Sequence, residues 1–307
     1  MIDILTTIVP IFAIILLGWV SHLGGFIPKD FIGPANSLVF YMAIPAMVFN
    51  AVAKASLKAH FDITVLILTL SAMVIGCGLA WGLGTLKGMR GGKLGTYIQS
   101  GFHGNLGYIG LAVAYYYLGE EGFVKTSILI GFMMILQNLL AVFVLTVNSE
   151  SGSDRHGWTP ILRKIAGNPV IASAMAGIVF SLAEIPVPLV VERSLDILSG
   201  LALPMALLII GGSISFDLIR EKLNPVLATM GIKLVLLPAL GYALFRMFGL
   251  ASQDFLPGLI LLASPAATIS YVMAKEMGGD PDFAVASISA STLLSSVTFT
   301  IWLQLAG

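Results

Sequence analysis

The chain has 307 residues, of which 57% are hydrophobic and 10% charged, with a mean hydropathy of +0.97. Soluble domains carry about 25% charged residues, so this composition excludes a soluble globular protein and describes an integral membrane protein. Lys plus Arg and Asp plus Glu each number 16, which gives no charge bias toward nucleic acid, and the lone Cys77 rules out an intrachain disulfide or a cysteine-built zinc site.

A helix needs about 20 mainly apolar residues to cross the hydrocarbon layer. In chain order the sequence predicts an all-α membrane protein with ten such spans, at roughly 3–22, 33–53, 62–86, 95–118, 123–147, 169–186, 189–215, 224–248, 254–277 and 281–305. The first lacks a basic leader and a cleavage site and reads as a retained helix rather than a signal peptide. The second carries Pro45 and the seventh Pro204, both expected to break or kink their helices. The fourth is interrupted by Gly-Asn-Leu-Gly-Tyr-Ile-Gly (104–110) and the ninth by Ser-Pro-Ala-Ala-Thr-Ile-Ser (264–270), around Pro265. Helix interiors disfavour glycine by about 1 kcal/mol and proline by about 3. Lipid does not tolerate unpaired backbone groups, so such breaks survive only when buried in protein or lining a cavity.

The longest polar interval, 148–168, divides the chain into residues 1–147 and 169–307, five spans each. Shifting the first half by 159 positions places Pro45 on Pro204, Asn105 on Ser264 and Gly119 on Gly278. An odd number of spans per repeat makes the two halves antiparallel in the membrane, the inverted-repeat architecture in which paired interrupted helices mark the binding site. Lys54, Lys58, Lys125, Arg193 and Arg246 fall on the face shared with the termini. Lys29, Lys87, Arg90, Lys93, Arg155, Arg163, Lys164, Arg220, Lys222 and Lys275 fall on the other. The positive-inside rule then puts the 148–168 linker in the cytoplasm and both termini outside.

Several stretches, in this order, carry a resemblance. They are Leu-Val-Phe-Tyr-Met-Ala-Ile-Pro-Ala-Met-Val-Phe (38–49), Gly-Asn-Leu-Gly-Tyr-Ile-Gly (104–110), Gly-Asn-Pro (167–169), Ala-Leu-Pro-Met-Ala-Leu-Leu-Ile-Ile-Gly-Gly-Ser-Ile (202–214), Lys-Leu-Val-Leu-Leu-Pro (233–238) and Ser-Pro-Ala-Ala-Thr (264–268). Together they resemble the auxin efflux carrier family, which includes plant auxin carriers and bacterial carriers of malonate and other small acids. The resemblance implies two inverted repeats of five helices. A scaffold domain would be built from helices 1, 2, 6 and 7, through which two copies could dimerise. A transport domain would be built from helices 3–5 and 8–10, with the fourth and ninth broken and crossed. It also implies elevator-type alternating access and a small organic anion as substrate. Relatives often carry a proline just after the first break; here Leu111 and Ala112 occupy that place.

Asn105 is the first candidate for substrate contact, because an amide donates to a carboxylate without the cost of a buried charge; the competing role is a cap for the broken helix. Ser264, Pro265, Thr268 and Ser270 are its counterparts. Gly104 and Gly107, with Gly101 and Gly110, allow either close approach to a ligand or close helix packing. Gln137 and Asn138 are mid-span amides that need partners at that depth, and one of them should face the break. Lys233, within the eighth span, either attracts an anion, neutralises carbonyl ends of a broken helix or snorkels to the interface. His103 either titrates with substrate or bonds locally.

The interiors of spans four, five and nine lack acids, so a proton carried on a carboxylate has little support, and H+ or Na+ remains as coupling ion. The chain has no nucleophile–base set, no phosphate loop and no metal spacing, so neither an enzyme nor a cofactor is expected. The resulting expectation is a secondary or facilitative carrier of a mono- or dicarboxylate in a cell inner membrane. A sodium-coupled symporter of the bile-acid type and a non-transporting sensor are the alternatives.

Overall fold

The computed structural model describes residues 2–54, 61–149 and 167–307. Most of the 148–168 linker expected to join the halves therefore lies outside the described residues, as does Lys58. Those described are helical, with one isolated bridge as the only β pairing among them.

Helix α1 runs Ile2–Leu23. Helix α2 (Lys29–Leu38) continues through a wide turn at Val39–Ala43 into α3 (Ile44–Lys54). Then come α4 (Ile63–Leu86) and α5 (Gly91–Phe102), followed after a gap and a second wide turn (Leu106–Gly110) by α6 (Leu111–Val147). The rest comprises α7 (Pro169–Leu182), α8 (Leu189–Gly212), the short α9 (Phe216–Glu221) and α10 (Leu223–Met230). A third wide turn (Gly231–Leu236) leads into α11 (Leu237–Met247), and α12 (Ser252–Ala263), α13 (Ile269–Glu276) and α14 (Pro281–Ala306) complete the chain.

Helix starts follow from local chemistry. Asp62 accepts from the N–H of Thr64 (2.7 Å) and Val65 (3.3 Å) to open α4. Asn168 and Asp280 cap α7 and α14, each directly before a proline whose missing N–H costs nothing at the first helical position.

Seven stretches among the described residues are long and apolar enough to cross a membrane: Ile4–Leu23, Lys29–Lys54, Ile63–Leu86, Leu106–Val147, Leu189–Gly212, Leu223–Met247 and Pro281–Ala306. The sequence-predicted fourth and fifth spans form one run of two helices joined across a kink at Gly119, whose φ of 67° is a left-handed conformation suited to glycine. The sixth is a helix of 14 residues. The ninth is divided into pieces of 12 and 8.

Two expected breaks are corrected. Helix α8 runs unbroken through Pro204. At Pro45 the preceding wide turn carries the chain onward, with the Ile44 N–H reaching back to Val39 O, so the helix continues despite the donor that proline lacks. Of the three prolines expected to break helices, only Pro265 stands in a gap.

In lipid the hydrophobic effect does not drive helices together, so close packing of small residues must. Helix α1 packs along α8, and α3 packs against α7 and α8. A Cβ added at Gly211 would overlap Ile15 O, and one at Gly18 would overlap Leu208 O, so the two backbones meet where only glycine fits. The remaining helices assemble around α12, which touches α4, α6, α11 and α14, while α5 packs on α4, α6 and α14. Gly78 on α4 has open space where its Cβ would be. Gly211→Ala should therefore destabilise the detergent-purified protein by about 1–3 kcal/mol through overpacking. Gly78→Ala should leave it unchanged or raise it by up to about 1 kcal/mol through helix propensity. Thermal melting of the two variants checks this.

Candidate functional site

The two interrupted segments hydrogen-bond to one another. Helix α5 ends at Phe102 and α12 at Ala263. Beyond those ends the Asn105 N–H donates to Pro265 O at 2.7 Å, and the Ala267 N–H donates to His103 O at 2.9 Å. Gly104 and Ala266 lie opposite each other between these bonds as an antiparallel pair. Each break thus satisfies backbone groups that the other has freed, as burial away from water requires.

Neighbouring side chains complete the set. The Gly104 N–H donates to Gln137 Oε1 on α6 (3.2 Å), and the Ala266 N–H to Ser291 Oγ on α14 (2.9 Å). Asn105 Oδ1 accepts from the Tyr108 N–H at 3.3 Å and so caps the helical run that begins at Leu106. Asn105 is 5% exposed, and its Nδ2, the donor end of the amide, has no hydrogen-bond partner among the described residues. Ser264 Oγ donates to Ile260 O (3.0 Å) at the end of α12. Lys233, at 0% exposure, donates from Nζ to Leu262 O at 2.8 Å. Lys233 sits in the wide turn before α11, and Trp302 Nε1 donates to the Leu234 carbonyl of the same turn (2.9 Å).

The glycines of the first break make room for this arrangement. A Cβ on Gly110 would stand 2.8 Å from Ser264 Oγ, and one on Gly104 would stand 3.3 Å from Lys233 Nζ. Gly107 faces the Met134 methyl, 3.2 Å from its would-be Cβ.

Asn105, Gly104, Ser264, Pro265, Gln137, His103 and Lys233 therefore converge. His103 contributes its carbonyl; its ring Nδ1 lies 3.3 Å from Gln99 Nε2, and its Nε2 has no partner among the described residues. Ser270 is buried one turn into the second segment, its Oγ likewise without a partner. Asn138 does not join the crossing, since its amide donates to its own helix at Met134 O (2.7 Å). Thr268 is half-buried at the start of α13 and makes no capping bond there. Ser291, Trp302 and Gln99 support the crossing without having been singled out from sequence. The run of hydroxyl residues at Ser287, Ser289, Ser291 and Thr292 in the last span was the available signal.

A separate cleft of about 740 Å³ opens between α3, α8 and the Gly119 bend, lined by Asn50, Lys54, Tyr115, Glu120, Asp196 and Pro204 among others. None of the crossing residues lines it. Lys54 bridges to Glu192 (2.7 Å) and reaches Asp196 (3.8 Å), and Asn50 donates to Asp196, all between α3 and α8. Among the described residues no three His, Cys, Asp or Glu side chains gather to hold a metal ion.

A multi-pass helical membrane protein with its buried polar groups concentrated where two interrupted helices meet has the form of a membrane transporter. The profile of the family described as membrane transport protein matches residues 3–159 and 158–303, and the chain belongs to that family, the auxin efflux carrier group. Its members are transporters, not enzymes. A protein of Rhizobium meliloti described as "Putative malonate transporter" is 26% identical over 98% of this chain and 95% of its own length. An uncharacterized transporter of Methanothermobacter thermautotrophicus is 21% identical over 96% of each chain. The uncharacterized transporter YfdV of Escherichia coli is 22% identical over 96% of this chain and 95% of its own.

The two mid-span amides should differ on substitution. Gln137→Leu strands the buried Gly104 N–H and should cost about 1–3 kcal/mol. Asn138→Leu removes only a bond within one helix turn and should cost less than half as much. Melting temperatures of the purified variants provide the comparison.

Proposed function

We propose that this chain carries a small organic anion, a mono- or dicarboxylate of the malonate type, through the crossing of its two interrupted helices. The observation that carries the proposal is the buried, unpartnered Nδ2 of Asn105. A buried donor without an acceptor is costly, and a substrate carboxylate oxygen is the partner it lacks. The helical run starting at Leu106 directs its N-terminal end at the same place, where the helix dipole favours negative charge. The Lys233 amine, beside Gly104, would add positive charge to the site. The sequence holds no Asp or Glu from Gly91 through Gly119 or from Phe255 through Lys275, so no fixed carboxylate competes with a visiting one.

Two inverted five-helix repeats, 1–147 and 169–307, account for the paired breaks and the shared prolines. In this reading helices 1, 2, 6 and 7 of the ten-span numbering form the scaffold, with a homodimer across it. Helices 3–5 and 8–10 carry the anion past the scaffold in an elevator motion. The cleft between α3, α8 and the Gly119 bend lies along that boundary and would be the outer approach. The surplus of Lys and Arg on the opposite face favours a cytoplasmic linker, external termini and an inner-membrane location. The malonate in the description of the Rhizobium relative makes it the first substrate to try.

Asn105→Asp separates substrate contact from capping. It keeps an oxygen for the Tyr108 N–H but replaces the donor with a negative charge. Uptake of radiolabelled malonate into liposomes should fall by about tenfold or more, the effect of losing a hydrogen bond to a charged group, in a variant that still folds at the reduced stability a buried charge brings. Asn105→Ala should lose both uptake and stability. Undiminished uptake by Asn105→Asp would refute the proposal.

A further inference from the structure

Lys233 is a fully buried basic side chain to which the described residues give no acidic partner. None of the ion pairs among the described residues involves it. The elements packed around its turn are α4, α5, α10, α11, α12 and α14, and within their spans acids occur only at the ends: Asp62 before α4, Asp254 in the first turn of α12, and Asp280 and Asp282 at the start of α14. Nζ instead reaches Leu262 O at 2.8 Å, one residue before α12 ends at Ala263.

The last carbonyls of a helix have no partners within it and carry about half a negative charge. In carriers built on interrupted helices, such carbonyl ends, with unwound backbone, are where a coupling cation is coordinated. We propose that the Lys233 ammonium is the resident cation of this crossing, occupying the place of a mobile one, so that this carrier moves its anion without sodium. The proposal rests on the reading of the crossing as the transport site and adds the coupling to it.

Two features hold the ammonium there. The wide turn Gly231–Leu236 has its freed Leu234 carbonyl tied down by Trp302 Nε1 (2.9 Å). Gly104 leaves room beside Nζ, where a side chain's first carbon would already stand at 3.3 Å. The ammonium is thus tethered to the helix before the second break by a hydrogen bond and stands beside Gly104 of the first. A free ion would enter and leave with each cycle, whereas a tethered one remains through it, so the charge that moves is the substrate's own.

The full-length protein, purified and reconstituted, tests this in two arms. In the flux arm, malonate uptake by the wild type should be the same in sodium chloride and in choline chloride. Lys233→Ala should lose uptake about tenfold or more in choline, in line with removing a buried charge partner, and regain part of it in sodium or methylammonium. In the equilibrium arm, sodium should leave the wild-type melting temperature unmoved but raise that of Lys233→Ala. Lys233→Met, which fills the space with apolar atoms, should gain nothing. Sodium-dependent uptake or sodium stabilisation of the wild type would overturn the proposal. So would a Lys233→Ala protein that transports normally, or one that no small cation rescues in folding or in flux. If the wild type moves no malonate under any condition, the proposed substrate fails, while the melting arm still reports on Lys233.

Discussion

Inside a hydrocarbon layer, a backbone that leaves its helix must find a partner for each N–H and C=O it frees, and here much of that partnership is mutual. The bonds from Asn105 to Pro265 and from Ala267 to His103 make a short antiparallel pairing between two helix ends. Around it, Gln137 and Ser291 each accept a backbone N–H, and Lys233 donates to a carbonyl. Among the described side chains near it, Asn105 Nδ2, His103 Nε2, Gln99 Oε1 and the Ser270 hydroxyl are buried without a partner.

The packing elsewhere keeps that centre in place. Gly110 and Gly104 bring the first break against Ser264 and Lys233. The Tyr108 hydroxyl, 2.6 Å from Asn36 Oδ1, links the run after the first break to α2. Away from the crossing residues, Gly18 and Gly211 let α1 and α8 touch backbone to backbone. Small residues act in both places, but to different ends. Between α1 and α8 they join two continuous helices, and at the crossing they allow two discontinuous ones to pass.

Much of this could be read from the residues. Glycine clustered around Asn105 and proline beside Ser264 are costly in a helix, and the helices do give way there, at 103–105 and 264–268. Other features depend on direction rather than composition. Gln137 and Asn138 are adjacent and chemically alike, yet successive residues on a helix point about 100° apart, so only one faces the break. The target of Lys233 is set by a wide turn whose register no local pattern of apolar residues reveals. Pro204 carries the same penalty on paper as Pro265, but α8 continues through it. A proline marks strain; whether the helix yields depends on what waits to receive the freed carbonyl. Ser291 was hidden among similar hydroxyls on the same helix, such as Ser287 and Thr292, which have no partner among the described residues.

The pairing of the breaks also bears on how the molecule is made. His103 O and Asn105 N–H lie in the first half of the chain, and their partners, Ala267 and Pro265, are near its end. Synthesis runs from the N-terminus, so the early segment reaches the bilayer with its interruption unsealed. It must wait, held by water, by lipid headgroups or by the insertion machinery, until the later segment arrives. The final spans are therefore the last part of the first half's fold as well as of their own, and a chain truncated before Pro265 would leave an open seam in the membrane.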